Sequence, residues 1–491
     1  MRHAGALIAV MLALCACSGS SPISVPAQTA GAKVQLHRDG RWMVDPMGRV
    51  VLIHGVNTVW KTPPYAPPAE AKGFIAADAD WLHDHGFNGA RLGALFVGVM
   101  PQAGQIDLAY LDLIDRVVQL MASRQIYVLF DFHQDMYNER YAGEGFPDWA
   151  TDDDGLPMPA NLGFPANYFT PACSRAFDNF WSNKAGIWDH YRDAWKAVAV
   201  RWKDQNYMLG YDLMNEPWPG TQVATCMNPI GCPLFDTQYL QPLQEHAATG
   251  IRETDTGSIV WFEPQVIFND SAKTNLALTK AIGDANIGLS WHTYCTVAGL
   301  VHSQGINNVP GCPQQRQLVY GNAEEAATRM QAATLITEFG ASDDLADIAD
   351  VASQADAQIT GWMYWHYKEW ADPTTESQTS GGQGLFHDDA DLSTVKVAKL
   401  KILERTYPQA TAGIPLQLSF DPATGEFHYR YAPRAAAAPT EIYVPVALHY
   451  PSGYDAEIVG ARILSAPGAA RLLLENLPGA SEVRVAIRAR T

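Results

Sequence analysis

From Val50 onward the chain alternates short apolar runs with longer segments of helical period. The runs are Val50–Val56, Gly89–Ala94, Tyr127–Phe132, Leu209–Met214, Ser258–Glu263, Gly288–Trp291, Thr334–Glu338 and Gly361–Trp365. None shows the two-residue alternation of a sheet with one wet face. Near-continuous apolar runs are what strands covered on both faces require. Amphipathic patterns separate them. Leu108–Arg124 carries Leu111, Ile114, Val117, Val118 and Met121 on one stripe, and Trp188–Trp202 is a second such segment. Eight strands with intervening helices predict an α/β fold, a closed parallel (β/α)8 TIM barrel. A doubly wound open sheet is the competing pattern, but no Gly-rich phosphate fingerprint follows the first run.

After Arg405 the texture changes. Tyr407-Pro408 and Gly413-Ile414-Pro415 interrupt the helical period, and short apolar runs follow at Leu416–Phe420, Glu426–Tyr431, Ile442–His449, Glu457–Leu464, Ala470–Leu474 and Glu482–Ile487. Turn residues such as Asp421-Pro422-Ala423-Thr424-Gly425 and Pro451-Ser452-Gly453 lie between them. This spacing predicts a small C-terminal β-sandwich over 412–491, behind a barrel over 33–408. No catalytic cluster stands out in the tail, and packing on the barrel is its simplest role.

The N-terminus reads as a processing segment. Arg2 and His3 precede the apolar run Ala6–Leu14, which is too short to span a bilayer and ends at Cys15-Ala16-Cys17. Leu14-Cys15-Ala16-Cys17 resembles a bacterial lipobox with Cys17 as the lipidated residue, although Cys15 replaces the usual small residue. Ordinary cleavage, for example after Ala27, is the alternative. The expected division is a signal peptide over 1–17 and a Ser/Pro/Ala tether over 18–32, giving a secreted or membrane-tethered protein. Export permits disulfides among Cys173, Cys226, Cys232, Cys295 and Cys312. Pairing within the loops 226–232 and 295–312 is the economical arrangement and leaves Cys173 odd, but spacing does not prove connectivity.

Composition narrows the function. With 491 residues, 47% of them hydrophobic, the chain can bury a large core, and a net charge of −18 disfavours a nucleic-acid partner. Fourteen Trp and twenty Tyr offer stacking surface for sugars, though most such rings serve as core. Neither Ser174 nor Ser290 lies in a Gly-x-Ser-x-Gly elbow, so a serine esterase is disfavoured. His133 and His292 have acidic neighbours, but no His-Glu-x-x-His pattern occurs, so no metal and no cofactor are expected.

Polar residues gather where the predicted strands end. His133 follows Asp131-Phe132, Asn215 and Glu216 follow Asp212-Leu213-Met214, His292 and Tyr294 follow Trp291, Glu338 follows Ile336-Thr337, and Trp365 ends the last run. The carboxy-terminal face is where barrels carry chemistry. Glu216 and Glu338, on the fourth and seventh strands, can converge on one sugar as the two carboxyls of retaining glycoside hydrolysis. Glu216 is then the acid/base, its pKa raised by apolar cover and nearby charge, and Glu338 the nucleophile, kept ionised by Tyr294 and Arg91. Asn215 is placed to bond a sugar 2-hydroxyl. Asp131 and Asp212 read as structural, and Glu263 as a minor substrate-binding candidate.

The string Leu213-Met214-Asn215-Glu216-Pro217 resembles glycoside hydrolase family 5 of clan A, whose Asn-Glu-Pro carries the acid/base. Arg91, His133, His292 with Tyr294, and Trp365 match the family's other recurrent site residues; the resemblance spans about Val34–Tyr407 and implies a sugar floor at Trp365. Asp131-Phe132-His133-Gln134-Asp135, Gly145-Phe146-Pro147-Asp148-Trp149-Ala150, Gly55-Val56-Asn57, Lys61 and Pro63-Pro64-Tyr65 further resemble the endoglycosylceramidases. That resemblance implies cleavage of the β-glycosidic bond between oligosaccharide and ceramide, with Lys61 and Asp135 binding sugar hydroxyls; the expected partner is a glycolipid or oligosaccharide substrate, with membrane anchoring through a lipidated Cys17, and the expected state a monomer. An endo-β-glucanase, β-mannanase or β-glucosidase of the same family is the alternative, and a noncatalytic sugar- or lipid-binding lipoprotein the rival of another class. Two stretches are candidate apolar surfaces for a lipid, the aromatic-rich insertion between Tyr137 and Trp195 and Leu95–Met100, although packing as loop core is the better reading for most of their residues.

Overall fold

The computed structural model describes residues 33–279, 286–295, 309–370, 372, 374 and 382–490. The expectations for the signal peptide, Cys17 and the tether lie outside them. Eight parallel strands close into a barrel: His54–Thr58, Gly89–Gly93, Tyr127–Asp131, Met208–Asp212, Val260–Phe262, Ile287–Thr293, Ala333–Phe339 and Gly361–Tyr364. The last strand pairs with the first, Trp362 opposite His54 and Tyr364 opposite Val56. Thr334 apart, every residue of these strands is buried, which is why the runs do not alternate. Helices cover the outside. In Leu108–Ala122, Asp107 caps the start by accepting the Tyr110 N–H at 3.0 Å, and the predicted stripe from Leu111 to Met121 is buried.

The first predicted strand divides in two. Val50–Val51 belongs to a different, antiparallel sheet, opposite Met43 and Ala410, and the barrel strand starts at His54. Val50-Val51-Leu52-Ile53 is continuously apolar, so periodicity has no means of marking the change of partner. Similarly, Ile442–His449 is a strand, Thr440–Tyr443, followed by a short helix, Val446–His449, because Pro445 has no N–H to continue a ladder. The run Glu457–Leu464 breaks at Gly460, whose φ of +83° turns the chain between Tyr454–Val459 and Ala461–Ile463.

The tail forms two antiparallel sheets. One has four strands in the order Gly413–Asp421, Glu426–Pro433, Val483–Ala489, Tyr454–Val459. The other has seven, and it includes His37–Asp39, Trp42–Val44, Val50–Val51 and Tyr407–Thr411 beside the tail strands Thr440–Tyr443, Arg471–Asn476 and Ala461–Ile463. This sheet therefore extends beyond 412–491 and takes in N-terminal strands expected within 33–408. It packs at the amino-terminal end of the barrel. The His54 ring stacks between Trp362 at 4.3 Å and Tyr407 at 3.7 Å between centroids. Buried Arg405 pairs with Asp356 at 2.5 Å and donates to the Phe420 carbonyl at 3.0 Å. The carboxy-terminal end of the barrel is left to the site.

Candidate active site

Each barrel strand delivers a buried polar or aromatic side chain at or just past its end: Asn57, Arg91, Asp131, Asp212, Glu263, His292, Glu338 and Trp365 in strand order. Arg91, fully buried, is the hub. Its Nε donates to Asp212 Oδ2 at 2.9 Å, Nη1 to Glu338 Oε1 at 2.5 Å, and Nη2 to Asn215 Oδ1 at 3.0 Å. Nη2 also lies 3.1 Å from Asp131 and 3.3 Å from Glu263. A lone buried guanidinium would be costly, and these carboxylates are its compensation. Asp131 and Asp212 thus have the structural place expected of them.

Glu338 is 5% exposed and held at both oxygens, Oε1 by Arg91 and Oε2 by the Tyr294 hydroxyl at 3.0 Å. Burial lifts its carboxyl above the ordinary value while the Arg91 charge opposes that rise, so Arg91 restrains its pKa rather than depressing it. Glu216 is pushed up to about 8, first by burial and then by the Asp135 charge. Its Oε1 receives Asn269 Nδ2 at 2.8 Å and lies 2.8 Å from His292 Nδ1. A carboxyl oxygen of Glu216 and one of Glu338 lie within 4.8 Å of each other. That is close to the about 5–5.5 Å at which one carboxyl can attack an anomeric carbon while the other serves the leaving oxygen.

The backbone that presents Glu216 is unusual. Its φ is +41°, a left-handed conformation that costs a non-glycine residue roughly 1–3 kcal/mol. Two flanking groups hold it: Glu263 Oε1 accepts the Glu216 N–H at 2.8 Å, and Gln134 Nε2 donates to the carbonyls of Asn215 and Glu216 at 2.9 and 3.1 Å. Asn215 is 1% exposed and spans Arg91 and the Gln134 carbonyl, so its amide plane is set before any ligand arrives.

Beyond the pair lies a second cluster. Trp365 is fixed by its indole N–H to Gln383 Oε1 at 2.9 Å; His133 stacks over it at 5.2 Å, and the Lys61 ammonium lies 4.8 Å from the ring. Lys61 is nearly caged, 2.5 Å from Asp135, 2.8 Å from the Thr374 hydroxyl, 3.1 Å from Asp372 and 3.6 Å from Glu144. His133 Nδ1 bonds Asp131 at 2.8 Å. Burial alone lowers that imidazole, but Asp131 and Asp135 raise it to about 10. Lys61 and Asp135, expected to meet sugar hydroxyls, are thus bound to each other, and a hydroxyl there joins an existing ion pair. His133, Asp135 and Glu144 converge closely enough to hold a cation, and the Lys61 ammonium is the charge they face.

All the residues expected at the site meet at this end of the barrel, Cys17 apart. Sequence reasoning missed Asn269, in the short 3-10 helix Val266–Asp270, and Glu144, Asp372, Thr374 and Gln383, which sit on loops, where no periodic signal points to them. Of the two readings of the apolar stretches, packing as loop core holds for most of their residues. Phe146, Phe177, Phe180 and Trp181 are core, as are Leu95, Phe96, Val99 and Met100, because the insertion buries its rings against one another. Within the insertion Phe169 is exposed, and further exposed apolar side chains lie on the loop closed by the Cys226–Cys232 disulfide. The second disulfide is Cys295–Cys312, and Cys173 is free and buried.

Comparison with known proteins places this geometry. A family model described as cellulase (glycosyl hydrolase family 5) matches residues 44–369, and one described as the glycoside hydrolase family 5 C-terminal domain matches 405–487. Endoglycoceramidase I of Rhodococcus hoagii (strain 103S) is 38% identical over 92% of this chain and 88% of its own. Among solved structures, endo-glycoceramidase II from Rhodococcus sp. in its ganglioside GM3 complex superposes with a TM-score of 0.76 at 26% identity. Its lactosyl-enzyme intermediate superposes at 0.74 and 26%, and each comparison covers 92% of this chain and 100% of the other.

Proposed function

This chain belongs to glycosyl hydrolase family 5, and we propose that within it the protein is an endoglycoceramidase, a retaining hydrolase that separates an intact oligosaccharide from ceramide. The observation that carries the reaction type is the Glu216–Glu338 pair, one carboxyl pushed up by burial, the other bonded by Arg91 and Tyr294, with oxygens within 4.8 Å. Glu338 attacks the anomeric carbon while Glu216 gives its proton to the departing ceramide oxygen, forming a glycosyl ester and a free alcohol. Glu216, now ionised, takes a proton from water; the resulting attack breaks the ester and restores Glu338. Trp365 lies under the sugar, and the Lys61–Asp135 pair bonds its outer hydroxyls.

The 38% identity to an endoglycoceramidase over nearly the whole chain supports the lipid substrate. So does the loop that follows the acid/base. Thr221–Phe235 contains no charged residue, and it exposes Met227 by 61%, Ile230 by 67% and Leu234 by 68%. Exposed apolar side chains gathered on one short loop suit an aglycone of acyl chains. Release of ceramide from a panel of glycosphingolipids, run beside cellulose and mannan fragments, tests this. Ceramide together with an intact glycan is the expected product. Cleavage of a polysaccharide fragment without ceramide release would keep the two glutamates and replace the substrate.

The pH dependence follows from the same pair. The first step needs Glu216 protonated, and its pKa lies at about 8, so kcat/KM is expected to fall as the pH rises through that value. Because Glu338 must be ionised, the profile also falls on the acid side, giving a bell. Rates measured on an unactivated glycoside across the pH range check this; an alkaline limb near the ordinary carboxylate range would show that Glu216 is not the group titrating.

A further inference from the structure

Glu263 takes no part in the steps above, yet it adjoins Glu216, Arg91 and His292. It follows the fifth barrel strand and is 2% exposed. Its Oε1 accepts the Glu216 N–H at 2.8 Å and lies 3.5 Å from His292 Nε2, and its Oε2 lies 3.3 Å from Arg91 Nη2. The other ring nitrogen of His292 lies 2.8 Å from Glu216 Oε1. One buried imidazole therefore spans the space between Glu263 and the acid/base, and among the described residues its Nε2 has no hydrogen-bond partner.

A neutral imidazole has one N–H and one lone pair, so its two ends are complementary. With the proton on Nε2, the ring donates toward an ionised Glu263 and accepts the O–H of a protonated Glu216. With the proton on Nδ1, it donates to an ionised Glu216 and accepts from a protonated Glu263. Passing from the first arrangement to the second moves the Glu216 proton to Nδ1 and the Nε2 proton to Glu263. The ring stays neutral, and the pair of acids keeps one proton and one negative charge. The 3.5 Å separation is longer than a formed hydrogen bond, as is common before substrate tightens a site.

We propose that Glu263 is a positioning residue that shares the acid/base proton with Glu216 through the His292 ring. The proposal rests on reading Glu216 as the acid/base. Burial supports it: His292 is pushed down to about 3, so the ring stays neutral over the working range, and burial with the Asp212 charge raises Glu263 so that it too can hold a proton. The same space is faced by Arg91 from the second strand, Asp131, His133 and Asp135 from the third, Asp212 from the fourth, Tyr294 from the sixth, Glu338 from the seventh and Lys61 beyond the first. Replacing Glu263 by Gln keeps an acceptor for the Glu216 N–H but removes one of the negative charges around Arg91.

Glu263→Gln is the test. In a coupled pair, removing one acid lowers the higher of the two apparent pKa values, because the survivor no longer ionises beside a like charge. The alkaline limb of kcat/KM on an alkyl β-lactoside is expected to move down by about half a pH unit or more, about a threefold loss of protonated enzyme above the limb. Superimposable limbs in two active enzymes would overturn the proposal. A second readout needs no turnover. The 15N shifts of the His292 ring, assigned by their loss in His292→Asn, are expected to be intermediate between protonated and bare nitrogen in the natural protein, and to collapse to one tautomer in Glu263→Gln. If that variant does not fold, the natural protein decides alone: a single fixed tautomer from about pH 5 to about pH 9 contradicts proton sharing. Failure of the folded natural protein to hydrolyse any β-glycoside would count against the reading of Glu216, whereas the ring shifts still judge Glu263.

Discussion

Glu338→Gln is expected to abolish turnover, with a loss on the order of 10⁴-fold or more in kcat, the scale on which removing a nucleophile is felt. The reason is chemical before it is structural. An amide oxygen is a poor nucleophile, and the amide has no negative charge to stabilise an oxocarbenium-like transition state. The shape is preserved, but the hydrogen bonding is not. Arg91 Nη1 at 2.5 Å and the Tyr294 hydroxyl at 3.0 Å both donate to Glu338, one to each oxygen. A glutamine offers one acceptor and turns its NH₂ toward the other donor. Some loss of thermal stability should accompany the loss of activity, and circular dichroism separates the two. Substantial activity in a clean, folded preparation would remove Glu338 from the nucleophile role. Conversely, a 2-deoxy-2-fluoro glycoside should accumulate on the natural protein as an ester at Glu338, readable by peptide mass.

Glu216→Ala is expected to show a loss that depends on the leaving group. An alkyl oxygen such as that of ceramide leaves poorly without a proton, so glycolipid hydrolysis should fall by about 10²–10⁴-fold. An activated aryl glycoside leaves without help, and its first step should be nearly spared. The second step still lacks a base, so the glycosyl-enzyme should accumulate, and a small anion such as azide, which needs no deprotonation, should restore its breakdown. Equal losses on both substrates would take the acid role away from Glu216. The alanine also deletes the acceptor of Asn269 and the neighbour of His292 Nδ1. Glu216→Gln, which keeps the volume, is the control for that rearrangement.

The barrel and the placement of Glu216 and Glu338 at its open end were legible because each depends on short-range pattern. A strand covered on both faces must be apolar at nearly every position, so Tyr127–Asp131 or Ala333–Phe339 announces itself without knowledge of its neighbours. The strand ends were legible for the same reason: where a fully buried run stops and an Asn-Glu-Pro or a His-x-Tyr begins, polar groups are being delivered to the open end of the barrel. The C-terminal strands were visible through turn residues, yet their boundaries moved wherever a proline or a left-handed glycine ended a ladder early, as at Pro445 and Gly460.

By itself, then, the sequence determined the architecture of the barrel, the strand-end placement of the two glutamates and the resemblance that identifies the family, all consequences of local burial or local motif. Only the tertiary structure decided that Val50–Val51 pairs with Ala410–Thr411 rather than with a barrel strand, that Lys61 is caged by acids from loops far along the chain, that most rings of the aromatic insertion are core, and that Glu263 accepts the Glu216 N–H. In each case the missing information is the identity of a partner hundreds or tens of positions away. Periodicity reports whether a side chain is buried; it is silent on what it is buried against, and the charge and hydrogen-bond state of a buried carboxyl or lysine depends on that partner.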